Sequence, residues 1–136
     1  TPGLRLAFLD RERIALSGKT IMGETADREV WVCGPGAYTV LKALAFENRG
    51  ENKDAYDLYF VLRNYGTGVG DVVARLRPLR EETETKKAVA ILKRDFLENN
   101  GLGPRRVSEF LTGGGNDEIQ ADVVGFVRML LKELGQ

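Results

Sequence analysis

The stretch LKALAFENRGENKDAYDLYFVLRNYG, residues 41–66, decides most of this fold. Its second half carries apolar residues at the i, i+3, i+4 and i+7 positions of a helix, namely Ala55, Leu58, Tyr59 and Leu62. Asn48 and Gly50 are helix stop signals. The sequence therefore predicts a helix that ends near Gly50, a short turn, and a second helix from about Lys53 to Tyr65.

The first of these helices is predicted to begin at Pro35, because proline suits the first turn of a helix. Its apolar stripe is expected to consist of Val40, Leu41, Leu44 and Ala45. Three segments before Pro35 are typical of short strands, at residues 4–10, 13–18 and 28–34. They predict a small sheet that is antiparallel where the connections between strands are short.

Downstream of residue 66 the pattern stays helical. Breaks are expected near Pro78, at Gly101 and in the glycine-rich segment 112–117, and Asn116 is the expected cap of the last helix. The predicted fold class is α+β, with about three strands followed by a bundle of five or six helices. We expect one domain, 1–136, divided into a sheet portion, 1–34, and a helical portion, 35–136.

The composition limits the chemistry that this chain can perform. Apolar residues make up 43% and charged residues 29%, and twenty basic residues balance twenty acidic ones. These values predict a folded, cytoplasmic protein not held to nucleic acid by bulk charge, and no apolar run is long enough for a membrane span. Cys33 is the single cysteine and histidine is absent, which excludes a Cys/His zinc site and a histidine base. The chain starts Thr1-Pro2, so we expect a fragment of a longer protein.

Asp57 is the one charge in the run AYDLYFVL, and Asp54 precedes it by one helical turn. Burying an unpaired carboxylate costs several kcal/mol, so a cation is expected to face these residues. Lys42 and Arg49 lie two turns apart on the preceding helix and are the candidates. Spacing alone leaves two interpretations open, which are a structural ion pair and a polar cluster whose lysine holds a phosphate.

The segment VLKALAFENRGENKDAYDLYFVL resembles the C-terminal motif of the nucleotidyltransferase family of AbiEii/AbiGii abortive-infection toxins. That motif has a lysine on one helix, an arginine about seven positions later, and then Lys/Arg-Asp-x-x-Asp-Leu at the start of the next helix. The matching residues here are Lys42, Arg49, Lys53, Asp54 and Asp57. The resemblance spans roughly residues 29–64 and includes the preceding VWVCGPGAYTVLK.

The resemblance implies the C-terminal part of a nucleotidyltransferase-like fold that uses an NTP and Mg²⁺, with tRNA as a proposed acceptor and with a possible antitoxin partner. It assigns Lys42, Asp54 and Asp57 to the catalytic site, and Lys42, Arg49 and Lys53 to nucleotide binding. The family's metal-binding half, a Gly-Ser/Thr turn with an Asp-x-Asp strand, has no counterpart in this sequence. We therefore expect no metal ligands here, no activity from this chain alone, and a catalytic half that lies upstream of Thr1 or has been lost.

The alternative function is a non-catalytic helical module that binds a protein partner, in which the same residues only join two helices. A further basic set could form an RNA surface or a solvated helix face, and it consists of Lys86, Lys87, Lys93, Arg94, Arg105 and Arg106. We expect Cys33 and Trp31 to be core residues. Nothing in the sequence predicts the oligomeric state.

Overall fold

The computed structural model describes residues 4–19 and 25–136, and it describes the side chains of 4–13 and 32–136. Its elements are α1 Leu6–Leu9, β1 Arg11–Lys19, β2 Thr25–Cys33, α2 Pro35–Arg49, α3 Asn52–Asn64, α4 Val69–Leu76, α5 Thr83–Asp95, α6 Leu102–Thr112 and α7 Asp117–Leu134. A 3₁₀ turn, Arg77–Leu79, follows α4 at the predicted break. The α+β class and the six helices after residue 34 agree with the prediction.

The sheet in the described residues has two strands, not three. β1 and β2 form an antiparallel hairpin in which Arg11 faces Cys33 and Lys19 faces Thr25. The strand predicted at 4–10 is wrong, because α1 occupies it. One helical turn places Leu6 in the core and ends where the Asp10 N–H donates to the Leu6 carbonyl at 2.9 Å, so the chain reaches β1 without a third strand.

The core lies among the helices, and α3 supplies the predicted stripe. Ala55, Leu58, Tyr59 and Leu62 are all buried. The stripe predicted for α2 is correct at Val40, and Leu44 is partly buried and packs against the core. The prediction is wrong at Leu41 and Ala45, which are partly buried but do not belong to the core or pack against it. The buried apolar residues of α2 are instead Ala37, Val40, Ala43 and Phe46. The helix is rotated because Phe46 packs edge-on against Phe96, with ring centroids 5.2 Å apart.

The last helix packs against α3, α4 and α6. The Asn116 side chain accepts a hydrogen bond from the Ile119 N–H at 3.1 Å, which is the predicted N-cap. Val123, Val127 and Leu130 are fully buried.

Cys33 is a partly buried free thiol, and burial raises its pKa, which fits an unreactive cysteine. The side chain of Trp31 lies outside the described residues.

Candidate functional site

A tight helix–helix connection brings the predicted site residues together. α2 ends at Arg49 and is capped by Gly50, whose φ of 64° is left-handed, and α3 starts two residues after this glycine, at Asn52. Glycine adopts this conformation without steric cost, which allows so short a turn. The two helices then run side by side, and the face of α2 that carries Lys42 and Arg49 meets the first turns of α3.

Three cations surround two carboxylates at this junction. The Lys42 Nζ lies 2.9 Å from Asp57 Oδ2 and 3.7 Å from Asp54 Oδ1. The Arg49 guanidinium donates two bonds to Asp54, at 2.7 and 3.2 Å, and Lys53 donates two to Asp57, at 3.0 and 3.2 Å. We call these five residues the charged cluster. The structure thus joins every residue that the sequence predicted for the site, and its geometry fits both interpretations of their role.

Exposure increases from the carboxylates outward. The Asp54 side chain is 3% exposed and that of Asp57 is 12% exposed, whereas Lys42, Arg49 and Lys53 are 24%, 52% and 66% exposed. The acids therefore lie underneath and the cations form the outer layer. The charged cluster itself has three positive and two negative side chains, so the five residues together carry a net positive charge.

Pairing within the charged cluster shifts the pKa values of two members in opposite directions. Burial alone would raise the pKa of Asp57, but hydrogen bonds and charge from Lys42 and Lys53 outweigh it and lower that pKa. Burial would likewise lower the pKa of Lys42, yet Asp57, Tyr38 and Asp54 raise it. At neutral pH both groups are charged, so Lys42 and Asp57 form an ion pair. Neither group transfers a proton at that pH.

Acidification is expected to weaken the fold through Asp57. An aspartate whose pKa is lower in the folded state stabilises the protein above its unfolded pKa of about 3.9, and this contribution is lost as the pH falls through the folded pKa. Urea unfolding at a series of pH values should show wild type losing more stability below about pH 4 than Asp57→Asn, with a difference of roughly 1 kcal/mol. Parallel pH curves for the two proteins would contradict this role.

An aromatic surface borders the charged cluster on α3. Tyr56 stacks on Phe110 of α6, with centroids 4.7 Å apart, and lies 5.9 Å from the ring of Phe60. Phe60 and Phe110 are about half exposed. On the helical wheel Tyr56 and Phe60 lie next to Lys53, so cations and aromatic rings share one continuous side of α3.

A second polar cluster, which sequence analysis missed, joins the hairpin to the helices. Asp10 is buried, accepts a hydrogen bond from the Ala37 N–H at 2.8 Å, and pairs with Arg75 at 2.6 Å. Arg75 also pairs with Glu12, which accepts a hydrogen bond from the Tyr65 hydroxyl. This contact with Tyr65, together with Arg75, lowers the pKa of Glu12 although burial opposes it.

The signal for this second cluster was the Gly-Pro-Gly sequence at 34–36. A Cβ on Gly34 would lie 2.3 Å from Asp10 Oδ1, and one on Gly36 would lie 2.8 Å from the Arg75 carbonyl oxygen. Two glycines at a helix start thus indicate that another chain segment approaches closely. The sequence shows the glycines but not which residue approaches them.

The described part of the chain shows no metal site built from protein side chains alone. It contains no group of three or more Asp, Glu, Cys or His side chains placed to hold a metal ion. In the charged cluster both carboxylates already bind lysine or arginine, so their oxygens are not free for a cation. The five residues therefore do not fit a magnesium site by themselves.

The basic set predicted on α5 and α6 is partly neutralised. Arg94 pairs with Asp95 and Glu47, Arg106 with Glu109, and Lys86 with Glu81. RNA binding at this set stays a prediction.

The chain has no match among family models, curated proteins or solved structures. None of the helices in the described residues combines the length and the apolar character required to cross a bilayer.

Proposed function

We propose that the chain is the C-terminal portion of an AbiEii-like nucleotidyltransferase, in which the charged cluster holds the polyphosphate of an NTP. The observation that carries the proposal is the position of the Lys42 amine, which lies between the buried carboxylate of Asp54 and the partly buried carboxylate of Asp57 and keeps part of its surface exposed. Phosphoryl and nucleotidyl transfer depend mainly on positioning and charge neutralisation, which a fixed ammonium group supplies.

Each residue then has a separate role. The Lys42 ammonium has three donors, and contact with Asp57 and Asp54 leaves one for a phosphate oxygen. Asp57 positions Lys42 and keeps it charged, and Asp54 fixes the Arg49 guanidinium by two parallel bonds. Arg49 and Lys53, at the exposed edge, add positive charge near the outer phosphates. The two carboxylates act as positioning residues.

The neighbouring aromatic surface supports a nucleotide as the ligand. Bases stack on exposed aromatic rings, and each such contact contributes about 1–3 kcal/mol in single-strand binding proteins. Tyr56 and Phe60 lie beside Lys53 on α3, so a ligand whose phosphates bind the cations has rings within reach for its base. Mg²⁺ would neutralise phosphate charge when bound, and its ligands would have to come from residues outside the charged cluster.

The direct test titrates this chain with inorganic tripolyphosphate and follows backbone amide shifts by NMR. We expect the largest shifts in α2 and α3 around the charged cluster. Lys42→Met should weaken binding roughly tenfold to a hundredfold, the range for loss of a charge-assisted hydrogen bond. Lys87→Met, which removes an exposed lysine of α5 that does not belong to the charged cluster, is the matched control and should leave affinity unchanged.

The complete protein provides the functional assay. Lys42→Ala should abolish transfer of label from an NTP to RNA or protein while the circular dichroism spectrum is retained. Undiminished transfer by that variant, or amide shifts confined to other surfaces, would refute the proposed role of Lys42.

The second candidate function is a helical module that binds a protein partner. It is favoured by the same contacts, because three cations that already pair with two carboxylates can serve simply to fix the crossing of α2 and α3. A complete protein that is folded but inactive with Mg²⁺ and all four NTPs would support this candidate.

A further inference from the structure

A groove lies between α5 and the C-terminal end of α7, and the proposed function makes no use of it. Two cavities of about 360 and 410 Å³ share Lys93 and Gln136 in their linings, so they meet on the surface. We call them together the C-terminal groove. Its aliphatic lining consists of Val89, Ala90, Leu97, Leu131 and Leu134. The cations around it are Arg80, Lys86, Lys93, Arg128 and Lys132.

The charge of the C-terminal groove departs strongly from that of the chain. Five basic side chains line it and Glu81 is the one acidic side chain, whereas the whole sequence has a formal net charge of zero. Glu81 pairs with Lys86 at 3.4 Å. Among the side chains that the structure describes, no carboxylate forms an ion pair with the other four cations. The Arg128 guanidinium is held in place by a bond to the Leu97 carbonyl at 2.9 Å.

The lining identifies the kind of ligand. Unpaired cations around an apolar surface favour a ligand that carries both carboxylates and apolar groups, because each part then meets its complement. Single-stranded nucleic acids are bound by basic grooves that also present aromatic side chains for base stacking. The C-terminal groove has basic residues but only aliphatic ones beside them, so it fits aliphatic side chains better than bases.

We propose that the C-terminal groove binds a partner protein through an acidic amphipathic segment. Leucine- or isoleucine-like side chains of that segment occupy the two cavities, and its Asp or Glu residues pair with Lys93, Arg128 and Lys132. Short segments of this kind commonly bind apolar grooves as helices. The proposal does not depend on the charged cluster, and it identifies the surface that a partner-binding module would use.

The test selects peptides with the protein itself. A displayed library of random peptides about 15 residues long, roughly four helical turns, is panned on the wild-type chain. We expect enriched peptides to combine Asp or Glu with aliphatic residues. Lys93→Glu should weaken their binding by at least about tenfold, since it replaces attraction by repulsion. Higher salt should weaken binding as well.

Two further variants make the test specific. Ala90→Glu adds bulk and negative charge to the aliphatic lining and should abolish binding of the selected peptides. Glutamate is a good helix former, so α5 is preserved in this variant. Lys87→Glu makes the same charge change as Lys93→Glu on α5 but outside the C-terminal groove, and should leave binding intact. Circular dichroism confirms that each variant is folded.

Three outcomes would overturn the proposal. The first is that panning enriches no peptide. The second is that the enriched peptides bind all variants equally, which would mean that they do not bind in the C-terminal groove. A single-stranded RNA of mixed sequence that binds the groove and displaces the selected peptides would assign the surface to nucleic acid. None of these results bears on tripolyphosphate binding at Lys42, so the two proposals fail separately.

Discussion

Phe46→Ala is expected to lower the free energy of unfolding by about 3–5 kcal/mol, the usual cost of removing a buried phenyl ring. Phe46 is 1% exposed and packs edge-on against Phe96, so its loss leaves a cavity where α2 meets α5. Domains of this size have about 5–15 kcal/mol of stability in total. The midpoint of urea unfolding should therefore fall sharply with an unchanged slope.

Phe60→Ala is the matched control, because it removes the same ring from the adjacent helix α3. Phe60 is 51% exposed, so we expect a loss of less than about 1 kcal/mol. Equal losses for the two variants would contradict the assignment of Phe46 to the core. The comparison also matters for the charged cluster, since Phe46 lies between Lys42 and Arg49 in α2 and fixes the rotation of that helix.

Asp10→Ala is expected to cost about 2–3 kcal/mol. The substitution removes the acceptor for the Ala37 N–H at the start of α2, an effect worth about 1 kcal/mol for helix caps. It also removes a buried partner of Arg75, although Glu12 still pairs with that guanidinium. Urea unfolding measures the total, and hydrogen exchange should show faster exchange of the first amides of α2.

Asp10→Asn separates the two effects. Asparagine keeps an oxygen that can accept from the Ala37 N–H but loses the charge that binds Arg75. We expect it to recover roughly 1 kcal/mol of the loss seen in Asp10→Ala. Asparagine and alanine variants of equal stability would show that the helix cap contributes nothing and that the ion pair with Arg75 accounts for the effect.

The sequence was most informative where the pattern was local. The spacing of Ala55, Leu58, Tyr59 and Leu62 predicted the buried face of α3, because a helix returns to the same side every three to four residues. Asn116 predicted the start of α7 for a similar reason, since a cap acts on amides only three positions away. The charged cluster could also be predicted from the sequence, because a short turn limits how α2 and α3 can pack.

The same local rules failed for α1 and α2. Residues 4–10 resemble a strand in composition, yet Leu6 is buried in the core and Leu6–Leu9 form the helix α1. The stripe of α2 was partly misplaced because Leu41 is as apolar as the residues that are buried. Packing against Phe96 then decided the rotation, and Phe96 lies 50 positions from Phe46 in the chain.

By itself, the sequence determined that the chain after residue 34 is helical, the ends of α2 and α3 to within about two residues, and the set of five charged residues that meet at one turn. These features depend on contacts within a few positions. The tertiary structure alone decided that Asp10 caps α2 and binds Arg75, and that cations of α5 and α7 surround one aliphatic groove. Those contacts join residues far apart in the chain. Their geometry is fixed only when the helices pack, because the direction of each side chain depends on the rotation of its helix in the core.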